Sequence, residues 1–195
     1  MKTLKIWIVV LGVLAIIALW AVNAYNALVE CQEDVESAWS QVENQYQRRA
    51  DLVPNLVATV KGYAAHEQET LEGVVNARAK ATQVTVDASS MTPEQIAAYQ
   101  AAQGELSQAL GKLLAIAENY PDLKANENFR DLQAQLEGTE NRIATARQFF
   151  NEAAKTYNKK VRRFPSNIIA ACFGFEQKGY FEADPEAKQA PKVEF

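Results

Sequence analysis

The chain opens on an apolar run. Between Ile6 and Val29 no side chain carries a charge, and the strongly apolar part reaches Val22. A helix rises about 1.5 Å per residue, so about 20 apolar residues cross a hydrocarbon core. Ile6–Ala27 meets that length, with Trp7, Trp20 and Tyr25 near its ends, where interfacial aromatics sit. From Leu28 the pattern changes period. Leu28, Cys31, Val35, Ala38, Val42, Gln45, Arg49, Leu52 and Leu56 follow in alternating steps of three and four, widened by Trp39, Tyr46 and Val53. That spacing predicts a helix of a bundle or coiled coil. Pro54 predicts a bend, because proline lacks the backbone donor and crowds the preceding turn. Leu56, Val60 and Tyr63 keep the phase beyond it.

Gly62–His66 is the best place for a first reversal. A second helix is predicted over Glu67–Val86, carrying Leu71, Val74, Val75 and Arg78, and Asp87–Met91 reads as a loop. Thr92-Pro93-Glu94-Gln95 is a helix start: Thr92 caps, Pro93 suits the first turn, and Gln95 completes a capping box. That third helix runs to about Asn119, where Tyr120-Pro121-Asp122 breaks it. Asp122 or Asn126 caps a fourth, reaching about Arg163. Its stripe is Phe129, Leu132, Leu136, Thr139, Ile143, Ala146, Phe150, Ala153 and Tyr157. After Phe164-Pro165, Ser166 or Asn167 starts a short apolar helix through Phe173.

No strand pattern emerges. The expected fold is all-α, an N-terminal transmembrane helix continuous with an up-down-up-down bundle of long helices. The divisions are an anchor over residues 1–27, a bundle over 28–175 and a disordered tail over 176–195, rich in Pro, Lys and Glu toward its end. Four long helices return the last one toward the membrane. Lys155, Lys159, Lys160, Arg162 and Arg163 then lie near the bilayer, as does the apolar segment Ile168–Phe173. Those cations read either as a solvated helix end or as contacts to lipid headgroups.

The alternative to an anchor is a cleaved signal peptide, for which Ala21-Val22-Asn23-Ala24 offers a small-residue site. The apolar run is at the upper limit for such a segment, and the helical pattern continues through Tyr25 into Leu28, so an uncleaved span is preferred. Lys2 and Lys5 precede the span, and no Lys or Arg follows until Arg48. The positive-inside rule therefore puts the N-terminus in the cytoplasm and the bundle on the periplasmic or extracellular side. A disulfide between Cys31 and Cys172 is permitted there. Two buried free thiols are the preferred state.

At this point the sequence resembles a known family. The run Ala38-Trp39-Ser40-Gln41-Val42-Glu43-Asn44-Gln45-Tyr46-Gln47-Arg48-Arg49-Ala50-Asp51-Leu52-Val53-Pro54-Asn55-Leu56-Val57 is similar to that of the LemA family of bacterial membrane proteins. So are Val60–Tyr63 with His66-Glu67, Ala77-Arg78, Ala117–Asn126, Gln133–Arg147, Tyr157-Asn158 and Phe164-Pro165, all in family order. The resemblance implies one N-terminal span, a long-helix bundle and a place in the bacterial inner (cytoplasmic) membrane. It supplies no biochemical activity.

Composition narrows the chemistry. In 195 residues the formal net charge is −4, which disfavours a nucleic-acid partner. One His and two Cys exclude zinc fingers, Cys-rich scaffolds and His-based triads. His66-Glu67 lacks the second His of a zinc protease, since Thr70 stands in its place. No cofactor or metal is expected, and no catalytic residue. Polar residues on or beside the apolar seams are Arg49, Asn55, Arg78, Glu118, Asn126, Gln133, Glu140 and Arg147. They read first as a buried network fixing helix register, and second as a ligand groove. On the first reading Arg49→Leu harms folding or assembly. The functional expectation is a non-enzymatic scaffold in the cell envelope. Its expected partners are the membrane, other membrane or envelope proteins, or further copies of itself. A ligand-sensing or lipid-facing membrane module is the alternative.

Overall fold

The computed structural model describes residues 2–182, with side chains from Lys5 onward. Helix α1 runs unbroken from Lys2 to Lys61, about 90 Å at 1.5 Å per residue. It carries the apolar N-terminal run and the bundle on one backbone and continues through Pro54, so the expected bend does not end it. Every side chain from Lys5 to Trp20 is exposed, and the first fully buried one is Leu28. The described residues hold one helix long and apolar enough to cross a membrane.

The remaining helices are α2 (Gln68–Gln83), α3 (Pro93–Ala117), α4 (Pro121–Ala125), α5 (Glu127–Arg162) and α6 (Ser166–Phe173). α2 stops short of the predicted Val86. Val84 is already extended, in keeping with the weak helix preference of the β-branched run Val84-Thr85-Val86. The start of α3 has the predicted capping box: Gln95 N donates to Thr92 Oγ1 at 3.3 Å, and Thr92 N donates to Gln95 Oε1 at 3.1 Å. Asn126 caps α5, accepting from Phe129 N at 3.0 Å. The short α4 between them buries Leu123 completely. Gly174, with φ of 75°, closes α6 in the left-handed region that glycine tolerates.

α1 and α5 form the most extensively packed pair, and α2 lies against both α1 and α3. α3 and α5 scarcely approach each other, so a channel runs between them above α1. The core has a part nearer the apolar run around Trp39, Tyr99, Ile143, Phe150 and Tyr157. A distal part gathers Val53, Leu56, Val60, Val74, Leu106, Leu113, Phe129 and Leu136. A small basal cluster joins Leu28 to Ile169 and Ala170.

The expected tail over 176–195 begins too early. Phe175–Glu182 is non-helical and is packed as a strap between α3 and α5, with Lys178, Gly179 and Phe181 buried. Residues 183–195 of that tail lie outside the described residues. The correction has a packing cause: Phe181 stacks on Trp39 at 5.9 Å and meets Phe150 edge-on at 5.5 Å. Gly179 passes so close to α3 that an added Cβ would sit 2.8 Å from Pro93 Cα and 3.0 Å from its nitrogen. Gly179→Val is therefore expected to lift the strap, at a cost of about 1–3 kcal/mol for the overpacked site. Trypsin reads this directly, because Lys178 is buried in the wild type. Rapid cleavage after Lys178 in the variant alone is the expected result, and equal protection of both proteins contradicts it.

Candidate functional site

Polar side chains gather where α3 and α5 part. Arg49 lies on the floor of the channel, on the buried face of α1, and is 1% exposed. Its Nη1 donates to Ser107 Oγ at 2.6 Å and to Glu140 Oε1 at 2.9 Å. Its Nη2 donates to the Gln103 carbonyl at 3.0 Å and to Gln103 Oε1 at 2.6 Å. One guanidinium thus ties α1 to α3 and α5. Gln103 carries the link onward, donating to the Ala81 carbonyl at the end of α2 at 3.2 Å. Arg49 Nε is buried without a partner.

Above Arg49 lies an open cleft of about 500 Å³, walled by Gln100, Gly104 and Gln108 of α3 and by Glu140, Ile143 and Arg147 of α5. Tyr46 shares the floor. Burial pushes its hydroxyl pKa up against the opposing pull of Arg147 and Arg49. Tyr99 beside it is raised by burial too. Both phenols stay neutral at physiological pH, so they offer hydrogen bonds rather than charge.

The strap enters this channel from the α6 end and is held by side-chain amides. Asn158 donates to the Lys178 carbonyl and accepts from Lys178 N, both at 2.8 Å. Asn151 does the same for Phe181, both at 2.9 Å. Gln100 pairs from the other wall with Glu182, at 3.0 and 3.1 Å, and Arg147 donates to the Glu182 carbonyl at 2.8 Å. The spacing is regular. Seven helical steps from Asn151 to Asn158 cover about 10.5 Å, and the three strap steps from Lys178 to Phe181 match that only when extended. The Lys178 ammonium reaches back to the Ser89 and Ser90 carbonyls. Burial lowers its pKa, against the pull of Glu36, Asp87 and Glu176.

Of the eight polar residues expected to form a network or groove, the channel unites Arg49, Glu140 and Arg147. Arg78 is half-buried elsewhere, donating from Nε to the Ala50 carbonyl at 2.7 Å across the α1–α2 seam. Glu118 and Asn126 sit at the distal tip. Glu118 pairs with Lys124, and Asn126 donates to Tyr63 Oη at 2.9 Å besides capping α5. Asn55 and Gln133 are exposed and take no part. The sequence reading missed Gln100, Gln103, Ser107, Asn151, Asn158 and Lys178. Gln103 had a signal: it interrupts the stripe Tyr99–Leu106–Leu110 with an amide that needs a buried partner.

The basic residues lie at the foot of α5, as expected. Lys155, Lys159, Arg162 and Arg163 are exposed, and Lys160 donates to the Ala27 carbonyl at 3.1 Å. Both cysteines are free, but only Cys31 is buried. Cys172 is exposed on α6, so the expectation of two buried thiols holds for one.

Comparison with known proteins follows the bundle closely. The model of the LemA family matches residues 38–195. The magnetosome protein MamQ 2 of Paramagnetospirillum magneticum is 30% identical over 201 residues, covering 91% of this chain and 72% of that protein. MamQ of Magnetospirillum gryphiswaldense is 30% identical, over 83% of this chain and 65% of its own length. Protein LemA of Metamycoplasma hominis is 25% identical, over 83% and 70%.

Proposed function

The chain belongs to the LemA family, and from that premise we propose that it is a single-pass, non-enzymatic scaffold of the bacterial cell envelope. Its N-terminus lies in the cytoplasm. The bundle stands on the outer side of the inner membrane and takes segments of other envelope proteins in the channel between α3 and α5. The observation that carries this reading is the strap. The channel walls already hold an extended backbone through paired carboxamides, a mode of binding that reads main chain and tolerates many side chains. Beyond Glu182 the same channel continues over Arg49 as an open cleft. Anchor and bundle share one helix, which suits a part that holds partners at a fixed height. Relatives named for the magnetosome support a role in an assembly.

The test is site-specific photocrosslinking of the full chain in native membranes. Gly104 lines the cleft and has open space around it, so a photoreactive residue fits there. Gln133, exposed outside the cleft, is the control position. Crosslinks from position 104 to a segment of another chain, a second copy included, are expected and should be absent from position 133. Adducts confined to one chain, or equal yields from both positions, would sink the reading.

A further inference from the structure

The base of the bundle presents an apolar face with no partner among the described residues. α6 packs one side, Ile169 and Ala170, against Leu28, with Ala21, Ala24, Val161 and Phe175 around them. Tyr25 meets the rings of Phe173 and Phe175 edge-on at 4.9 and 5.6 Å. Ile168, on the opposite side of α6, is 50% exposed, Phe164 just before the helix is 75% exposed, and Phe173 stays 63% exposed despite its contact with Tyr25. Such a cluster is costly in water and marks a contact surface.

Depth along α1 identifies what covers it. A hydrocarbon core about 30 Å thick takes about 20 helical residues. Counted from Ile6, the core ends near Tyr25. α6 touches α1 at that level, beside Ala21, Ala24 and Tyr25. Its bare face therefore meets the same bilayer as the span. Immediately above, the last turns of α5 bring Lys155, Lys159, Arg162 and Arg163 to the surface. Lysine and arginine at this height reach headgroup phosphates while their stems cover apolar surface. Lys160 is held by the Ala27 carbonyl, which fixes the foot of α5 against the end of the span.

We propose that α6 is an interfacial helix embedded in the leaflet beside the span, with the α5 cations seated on anionic lipid headgroups. The base would then be a second membrane attachment that fixes the tilt of the bundle. The inference needs α1 to cross the bilayer but is independent of the scaffold role, so either can fail alone.

Cys172 supplies the probe. It lies one helical turn beyond Ile168, on the same exposed face, whereas Cys31 is buried. The full chain, labelled at Cys172 with the fluorophore NBD, would be placed in nanodiscs of phosphatidylglycerol and phosphatidylethanolamine. Expected are a blue-shifted emission and strong quenching by lipids spin-labelled just below the headgroup, with little quenching by aqueous iodide. Emission typical of water, quenched by iodide and not by the labelled lipids, would overturn the proposal. Protection from both quenchers would overturn it too, pointing to a protein partner on this face. Reversing Lys155, Lys159, Arg162 and Arg163 to Glu should abolish most of the lipid quenching in these anionic discs. Unchanged quenching, with the helical circular dichroism intact, would refute the headgroup contact.

Discussion

Trp39→Ala is expected to lower the melting temperature of the bundle by on the order of 10 °C. Trp39 is fully buried, and its ring lies 5.1 Å from Tyr99 of α3, 5.4 Å from Phe150 of α5 and 5.9 Å from Phe181 of the strap. Truncating a buried tryptophan to alanine costs about 3–5 kcal/mol, the lost transfer energy plus the cavity left behind. In a bundle of this size each kcal/mol moves the midpoint by about 2–4 °C. The strap should loosen as well, since Phe181 loses the surface it stacks on. Circular dichroism melts of the full chain in detergent, with tryptic cleavage after Lys178, read both effects. Trp39→Phe is the informative control. The indole N–H is buried without a hydrogen-bond partner, so phenylalanine keeps an aromatic ring and removes an orphaned donor. It should lose much less stability than alanine. Equal losses from the two variants would mean that ring packing is not what Trp39 contributes.

Glu140→Ala should be the second most damaging of these changes, by about 2–3 kcal/mol. Removing one partner of a buried ion pair typically costs about 3–5 kcal/mol, because the other charge is left uncompensated. Here Arg49 is 1% exposed and Glu140 is 42% exposed, so water relieves part of the loss. Arg49 would keep its bonds to Ser107 and Gln103 but lose its counter-charge. Arg49→Leu works through a different partner. Glu140 can turn to water, while Gln103 Oε1 loses its donor, at about 1–3 kcal/mol. Joining Arg49→Leu to Glu140→Ala removes the stranded charge. The double variant should therefore lose clearly less than the sum of the two single losses in chemical denaturation. Strict additivity would show that the two side chains do not act as a pair.

The pair also bears on how Arg49 was read from sequence. Its place on the apolar stripe made it a candidate for fixing register or lining a groove. It ties α1 to α3 and α5, and it floors an open cleft. The residues that fell away from the network did so for a geometric reason. Asn55 and Gln133 stand beside the seams, each one position off the stripe residues Leu56 and Leu132, and both face solvent; a straight helix also turns every 3.6 residues and so drifts from a repeat of three and four. The same drift moves burial from Ala153 to Ala154 in α5 and from Leu52 to Val53 in α1.

What the sequence determined by itself is local. The apolar run sets the exposed N-terminal part of α1, the threefold and fourfold spacing sets the helices, and Thr92, Gln95 and Asn126 set two of their starts. Each is a signal carried within one turn of backbone, where hydrogen bonding and side-chain direction depend on near neighbours. Tertiary structure alone decided the strap, the open channel and the packing of α6 on α1. Phe175–Glu182 has no helical period, and its hydrogen-bond partners include residues of α3, α5 and the Asp87–Met91 loop, up to 89 residues away in the chain. No local pattern specifies that α3 and α5 stay apart or that α6 touches Ala21 and Ala24. Those contacts arise only when long helices pack and their ends meet.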